Sequence, residues 1–554
     1  KLTMRSLNKI INDSIIENWN RPALTNVSVT GNFTFADTAG KIAQLHAFYT
    51  QTGIGKGDKI AICARNSAQW AIAFLSIVSY GAVAVPLLNE FTPDDITNLL
   101  RHSNSRILFT DAEIWEHLHD NDNMPQEIEA VIDTADEFSI LDSNRSARHA
   151  WESAGENVRK LYPAGLSAAD IKYIDDNPSQ LALINYTSGS TGNPKGVMIP
   201  RRALVSNLQF AFDLMPYLKA GDGIVSILPM AHMYGLLVEV LFPFAVGAHT
   251  RFLGKIPSPT VLLQAFADTH PKLVITVPLV IDKIIKTRVF PRLRTTKMKI
   301  LWHTPVIGSV MRSKIRRQLL DVFGGNLHEM IIGGASLDPV VEKFLTSIRF
   351  PFTIGYGMTE CAPLIAYAPW NNRRLGSCGR LVDRMEARIE SPDPHVKPGE
   401  LLLRGDNVML GYYNNPEATT QTIDQDGWMR TGDMVTCDKD GLFYIRGRNK
   451  TMILGPSGQN IYPEEIEAML QRLPYVEECL VVSRDNKLVA LVYPDEKKMK
   501  DDGIDNGAII KIMDDNIKAL NAKLQVYSRI SSIELRKEPF KKTPKHSIKR
   551  FLYS

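Results

Sequence analysis

Tyr186-Thr-Ser-Gly-Ser-Thr-Gly-Asn-Pro-Lys-Gly-Val197 is the stretch on which the reading of this chain turns. Three glycines, four Ser/Thr hydroxyls and one lysine stand here directly after the apolar Leu181-Ala-Leu-Ile184. Glycines let backbone N–H groups turn toward an anion, hydroxyls add donors, and a lysine adds a mobile positive charge. The composition is that of a phosphate cradle formed by Thr187, Ser188, Gly189, Ser190, Thr191, Gly192 and Lys195. The spacing differs from that of the Walker loop, which needs lysine directly after glycine and before Ser/Thr. Here Lys195 precedes Gly196 and Val197 follows, so a P-loop NTPase is excluded.

Five further segments follow in order: Leu228-Pro-Met-Ala-His-Met-Tyr-Gly-Leu236, Gly333-Gly-Ala335, Tyr356-Gly-Met-Thr-Glu360, Gly427-Trp-Met-Arg-Thr-Gly-Asp433 and Gly447-Arg-Asn-Lys450. Together with the glycine loop they resemble the adenylate-forming superfamily of acyl-CoA synthetases, luciferases and adenylation domains. Gly55-Lys-Gly-Asp-Lys-Ile60 and Gly81-Ala-Val-Ala-Val-Pro-Leu87 are similar to that family's opening domain. Within the family, Gly405-Asp-Asn-Val-Met-Leu-Gly-Tyr-Tyr-Asn-Asn-Pro416 and the basic insert before Gly324 look most similar to medium- and long-chain fatty acyl-CoA synthetases.

Local patterns agree with an α/β fold. Lys59–Cys63, Ala82–Leu87 and Arg106–Thr110 read as short buried strands, and Ser67–Tyr80 has helical apolar spacing. Thr92-Pro93-Asp94-Asp95 opens a helix with a hydroxyl N-cap, proline at the first position and acids beside the positive end of the dipole. Alternating strands and helices predict parallel-rich sheets covered by helices. Residues 112–180, rich in Asp, Glu, Asn and Ser, read as a variable connector with some helix. Downstream, Arg201–Leu218 is expected as helix, with Gly223–Leu228 and Lys272–Val277 as strands. A boundary at Gly447 divides an N-terminal adenylation domain, 1–447, from a C-terminal α+β domain, 448–554, with a helix from Pro463 and a hairpin around Ser483–Lys487. The resemblance implies that the large domain includes a small barrel-like part. It also implies that the small domain is a mobile lid hinged near Lys450.

With 554 residues, 64 basic against 60 acidic side chains and a net charge of +4, the chain has no overall charge suited to a dedicated nucleic-acid binder. The five cysteines are scattered without C-x-x-C pairing, which points away from zinc and disulfide frameworks. No charged-then-apolar leader is read, and Glu239 interrupts the longest apolar run, Leu236–Gly247, so a cytoplasmic protein is expected. The basic block at 283–317 reads either as a solvated face or as a patch for anionic headgroups or the phosphates of a nucleotide-tailed thiol. Peripheral membrane contact there is therefore an expectation.

A carboxylate must be activated before a thiol can attack it, and joining it to AMP does so. Bringing it against an anionic triphosphate demands a magnesium ion, backbone donors and cations. The resemblance implies ATP, Mg2+ and CoA as cofactors and assigns the roles. The loop from Thr187 to Lys195 would hold the β and γ phosphates, Thr359 the α-phosphate, and Glu360 with Thr187 the metal. Gly333, Gly334, Ala335, Tyr356 and Gly357 would frame adenine, and Asp433 with Arg448 the ribose. His232 would shape the acyl pocket without moving a proton, and Gly458 would lie beside the pantetheine arm.

One departure stands out. The family's C-terminal signature, threonine-proline-x-glycine-lysine-isoleucine-x-arginine, is matched by Thr543-Pro-Lys-His-Ser-Ile-Lys-Arg550, which places Ser547 where the catalytic lysine is expected. Lys545 and Lys549, two residues to either side, are the expected substitutes if the backbone is extended there. Three readings follow: a fatty acyl-CoA ligase, an acyl-adenylate ligase that loads a carrier protein, and a nucleotide- or acyl-binding protein that has lost catalysis. The retained Thr187, Glu360, Asp433 and Arg448 favour the first.

Overall fold

A computed structural model describes residues 5–27, 31–119, 124–135, 137–188, 194–254, 259–293, 302, 304–451, 453–454, 460–484, 487–524, 528–543 and 547–553. The chain divides into two compact units. The first comprises Lys1–Thr187, Lys195–Glu386 and Arg404–Gly427; the second comprises Ser188–Pro194, Ala387–Leu403 and Trp428–Ser554.

The first unit is built on an eight-stranded sheet ordered Gly411–Tyr412, Pro194–Pro200, Leu181–Ser188, Val83–Pro86, Lys59–Cys63, Ser105–Thr110, Ala130–Asp133 and Ser139–Ser143. Its middle is parallel, with Lys59–Cys63 between Val83–Pro86 and Ser105–Thr110. Central strands buried on both faces read as unbroken apolar runs, and Ile60, Ala61, Ile62 and Cys63 are all buried. The crossover helix Ala68–Tyr80 is buried along almost its whole length, starts at the Ser67 cap and stops at Gly81, whose φ is +95°. Thr92 caps Pro93–Ser103 as expected, its hydroxyl accepting from Asp95 N–H. The 112–180 region holds more order than its composition suggests. Ala130–Asp133 and the antiparallel edge strand Ser139–Ser143 extend the sheet, followed by the helix Arg145–Leu161.

Two smaller sheets complete the first unit's parallel framework. One runs Gly223–Ser226, His249–Phe252, Pro22–Asn26 and Asn32–Thr34, the other Leu273–Thr276, Glu329–Ile332 and Phe352–Ile354. Helix Arg201–Leu214 is fixed at its start by Arg201, whose guanidinium is buried against Asp176 at 3.0 Å and donates to Val78 O at 2.7 Å. The apolar run after Tyr234 folds as Leu236–Leu241 and Phe242–Ala245, both buried. Among the described residues no helix is long and apolar enough to cross a membrane. All five cysteines are free.

The second unit carries an antiparallel sheet of Met385–Glu390, Gly399–Gly405, Met429–Cys437 and Phe443–Arg448; the first and second of these strands straddle the boundary between units. It also carries a sheet of Val476–Arg484, Lys487–Pro494 and Ile530–Leu535. Alternation along these strands makes two cores. Cys479, Val481, Ala490 and Val492 face the helices Pro463–Leu470 and Asn506–Asn521, while Leu480, Val482, Val489 and Leu491 pack with Phe540.

Candidate active site

The strands on either side of the glycine-rich segment, Leu181–Ser188 and Pro194–Pro200, are neighbours in the eight-stranded sheet. Gly189, Ser190, Thr191 and Gly192 lie outside the described residues, as does the side chain of Ser188. The strands that launch the loop are closely fitted. A Cβ on Gly196 would stand 2.9 Å from Ile184 Cγ2 and 3.1 Å from Tyr186 Cε1, so only glycine lets them pack. The Tyr186 hydroxyl is paired with His102 Nδ1 at 2.7 Å.

Lys195 and Glu360 are brought to one tyrosine. The short strand Gly411–Tyr412 pairs antiparallel with Pro194–Pro200, setting Tyr412 opposite Val197. Its ring lies 4.9 Å from Lys195 Nζ, and its hydroxyl donates to Glu360 Oε1 at 3.0 Å. Burial beside this carboxylate pushes the Tyr412 phenol well up, so it stays a neutral donor. One Glu360 oxygen is thus fixed, and the half-exposed carboxylate keeps acceptor capacity for a further partner. Tyr412 was quoted in the sequence only as part of a resemblance. Its reach to a residue 52 positions earlier depends on strand register, which local spacing does not reveal.

Thr359 and Glu360 sit on the single 3-10 turn Thr359–Cys361. Asn207 and Asn407 tie the turn and its exit to their neighbours. Asn207 Nδ2 donates to Cys361 O at 3.3 Å and its Oδ1 accepts from Leu364 N–H at 3.1 Å, while Asn407 Nδ2 donates to Leu364 O at 2.8 Å. Met409 N–H donates to Glu360 O at 2.9 Å. A side chain on Gly357 would collide with the Pro363 carbonyl. Thr359 is buried, so the turn presents these residues from a fixed backbone.

Gly333, Gly334 and Ala335 follow the strand Glu329–Ile332, and Tyr356 follows Phe352–Ile354. They therefore stand at the carboxyl ends of a parallel sheet, where open α/β sheets bind ligands. Gly333 N–H donates to Thr276 O at 3.1 Å, and a Cβ there would come within 3.0 Å of the Tyr234 ring. Tyr234 in turn donates to Ile331 O at 3.1 Å. Gly334 and Ala335 are exposed and Tyr356 is buried. His232 caps the turn Met233–Gly235, its Nδ1 accepting from Tyr234 N–H at 3.2 Å. That bond fixes the ring's tautomer and gives the side chain a positioning task. The segment is held by Asn185, which donates to Ala231 O at 2.8 Å, and by Asn66, which donates to Leu228 O at 2.6 Å.

Sequence reasoning passed over Glu239, taking it only as a break in an apolar run. It is fully buried, with Oε2 accepting from Ser226 Oγ at 2.8 Å, Ile227 N–H at 3.1 Å and Leu228 N–H at 3.0 Å. It anchors the start of the Leu228–Leu236 segment. Burial pushes its carboxyl up to about 8.

In the second unit Asp433 and Arg448 face each other across neighbouring strands, with Arg448 Nε 3.0 Å from Asp433 Oδ1. Asp433 is buried and Arg448 largely exposed. Lys450 lies in the turn Asn449–Thr451, but its side chain is outside the described residues; Gly458 and Lys545 are wholly outside them. The C-terminal signature closes a hairpin. Lys542 pairs antiparallel with Ile548, and Thr543 N–H donates to Ser547 O at 2.8 Å. Arg550 anchors its base, donating to both Glu467 oxygens at 2.7 and 2.8 Å and to Val481 O at 3.0 Å. Ser547 is exposed and Lys549 half-buried.

A family model for AMP-binding enzymes matches residues 16–413, and one for the AMP-binding enzyme C-terminal domain matches residues 450–553. The chain belongs to the AMP-binding enzyme family. With membership comes the reaction class, acid–thiol ligation through an adenylate with ATP and CoA. The long-chain-fatty-acid–CoA ligase FadD15 of Mycobacterium bovis is 28% identical over 81% of this chain and 75% of the relative. The 4-coumarate:CoA ligase 1 of Petunia hybrida is also 28% identical, over 85% of this chain and 80% of the relative. Among solved structures, the anthranilate CoA ligase AuaEII in complex with anthranoyl-AMP aligns with a TM-score of 0.75 at 20% identity, covering 100% of this chain and 97% of that one. This likeness establishes the mixed α/β fold of the adenylate-forming enzymes. The acids named by the relatives range from fatty acids to aromatic acids.

Proposed function

We propose that the enzyme activates a medium- or long-chain fatty acid with ATP, releasing pyrophosphate, and passes the acyl group from acyl-AMP to CoA. The observation that carries the site assignment is the convergence of Lys195 and Glu360 on Tyr412. A cation for the phosphates and an oxygen donor for a hard metal ion are thereby held through one side chain. Glu360 fits Mg2+, which takes one or two carboxylates and completes its shell with water and substrate phosphates; Thr187 is its proposed companion. Bound there, the ion would supply charge neutralisation between the carboxylate and the triphosphate.

The chain's own residues do the rest. Lys195 and the loop hydroxyls bind the β and γ phosphates, and Thr359 donates to the α-phosphate. Gly333–Ala335 and Tyr356 border the adenine, with Gly333 kept small by Tyr234. Asp433 accepts from the ribose hydroxyls, and Arg448 steadies it. The fatty acyl reading is supported by the resemblance of residues 405–416 and by the long-chain ligase among the relatives.

The test is ATP- and Mg2+-dependent pyrophosphate release over acids from acetate to oleate together with 4-coumarate and benzoate, with and without CoA, followed by assay of the thioester. Turnover greatest with long aliphatic acids and giving acyl-CoA is expected. Preference for an aromatic acid would overturn the fatty acyl assignment, and pyrophosphate without acyl-CoA would overturn CoA as acceptor.

A further inference from the structure

The stretch from Lys283 to Arg317 contains eleven Lys/Arg residues and no Asp or Glu, in a chain whose net charge is only +4. In the structure it runs through Pro278–Ile284, Ile285–Val289, Phe290–Leu293 and the helix Pro305–Val322. The inner faces of these helices join one core. Ile281, Ile285 and Leu319 are buried there, and Phe290 and Trp302 both pack on Phe344.

The outer faces carry an unusual pairing of residues. Val306, Val310, Lys314 and Arg317 recur at spacings of four, four and three and so share one face of the helix. Val306 is 75% exposed, Val310 65% and the adjacent Ile307 46%, while Lys314 and Arg317 are exposed one and two turns on. The preceding helix repeats the motif: Leu279 is 75% exposed, with Lys283 exposed one turn later. Of these cations, Lys283, Lys314 and Arg317 have no ion pair among the described residues, and neither does the exposed Arg288; Lys286 is paired with Asp338 at 2.7 Å.

We propose that this face of the helix Pro305–Val322, led by Val306, Ile307 and Val310 and followed by Lys314 and Arg317, docks on an anionic lipid surface. Scattered exposed aliphatics are ordinary, but three at one end of a helix, followed by cations with no acid between Val306 and Arg317, mark a contact surface. The apolar side chains would enter the headgroup–acyl boundary while the cations meet lipid phosphates, the chemistry of interfacial helices. A protein-binding core would be expected to show aromatics and few lysines. Here the aromatics Phe290 and Trp302 are turned onto Phe344 and the exposed apolar residues are all aliphatic. The phosphates of CoA would require the cations but not the aliphatic tips. The proposal does not depend on which acid the enzyme activates.

The experiment is co-sedimentation of the full chain with vesicles of phosphatidylcholine, with or without about 30% phosphatidylglycerol. Wild type is expected to bind the anionic vesicles and to release as salt is raised toward ~0.5 M. Lys314→Gln with Arg317→Gln should weaken binding about 25-fold, at roughly fivefold per cation. Val306→Ser with Val310→Ser should weaken it about tenfold or more by removing the inserted aliphatics. Because all four side chains are exposed, thermal melts and turnover on a short soluble acid should be unchanged, which separates docking from folding and catalysis. Absence of wild-type binding, or equal binding by both double variants, would overturn the proposal. So would variants that keep vesicle binding but raise KM for CoA or lose affinity for an acidic carrier protein, since either result would give the cations another partner.

Discussion

Replacing Tyr412 by phenylalanine removes one atom from the candidate site and leaves its packing in place. The lost hydroxyl donates to Glu360 Oε1 at 3.0 Å, while the ring that Lys195 Nζ overlies at 4.9 Å is retained. A hydrogen bond to a charged acceptor contributes about 1.5–3 kcal/mol. Glu360 is half-exposed, so water replaces part of that, leaving about 1–2 kcal/mol of lost positioning and a five- to thirtyfold fall in kcat/KM for adenylation. ATP–pyrophosphate exchange measured across a magnesium titration is the assay. The half-saturating magnesium concentration should rise together with the loss of rate, whereas a change in packing alone would alter rate without altering magnesium dependence. Tyr412→Leu, which also removes the ring beside Lys195, should be worse, with an added rise in KM for ATP. Unchanged kcat/KM and unchanged magnesium dependence in Tyr412→Phe would refute the assignment of Glu360 as the metal-positioning carboxylate.

Asp433→Asn should raise KM for ATP about five- to thirtyfold while leaving the melting temperature nearly unchanged, because its partner Arg448 is largely exposed; an unaltered KM would remove Asp433 from nucleotide binding. Glu239, with a folded-state pKa of about 8 against the ordinary 4.5, holds a proton in the folded chain that the unfolded chain releases, so its contribution to stability is full below about pH 4.5 and is lost as pH rises toward 8. Glu239→Gln should flatten that part of the melting-temperature profile between about pH 5 and 8, and parallel profiles would show that the buried carboxyl is not its source. Arg201→Ala leaves Asp176 buried without its charge partner and should cost about 3–5 kcal/mol in denaturant titration, with a loss under about 1 kcal/mol contradicting the buried-pair account. Lys549→Ala should slow acyl-adenylate formation about 100-fold and spare thioester formation from added acyl-adenylate; an unaltered first half-reaction would exclude it as the replacement cation.

Much of the fold was legible because its determinants are local. Ser67 and Gly81 bracket a helix, Thr92 and Pro93 open another, and Lys59–Cys63 is apolar enough for the centre of a parallel sheet. The strand Ala130–Asp133 and the edge strand Ser139–Ser143 were not legible; the second has no buried residue and takes its strand character from pairing with the first. The anchoring role of Glu239 was not legible for a related reason. A carboxylate inside an apolar run resembles an interruption until the chain folds and three donors of residues 226–228 close around it. Tyr412 was invisible in a third way, since its function follows from a strand register that brings together residues far apart in sequence.

In the C-terminal signature the residues that support the backbone and the residue expected for catalysis part company. Thr543, Ile548 and Arg550 do the work of scaffold: the first closes the turn, the second pairs with Lys542, and the third locks the base onto Glu467. The expected lysine position is a serine, yet none of those supports depends on the side chain at 547. Ile548 is bridged to Lys542 and Lys549 N–H donates to Lys541 O at 2.9 Å, but the backbone turns at Lys549, where φ is −74° and ψ is 77° and Arg550 N–H donates to Ile548 O at 2.9 Å. The pairing therefore ends at Ile548, and Lys549 stands where the chain leaves it for the turn Arg550–Leu552. The supports of this segment are thus independent of the residue at 547, and whether the half-buried Lys549 supplies the missing charge is decided by the first half-reaction of Lys549→Ala.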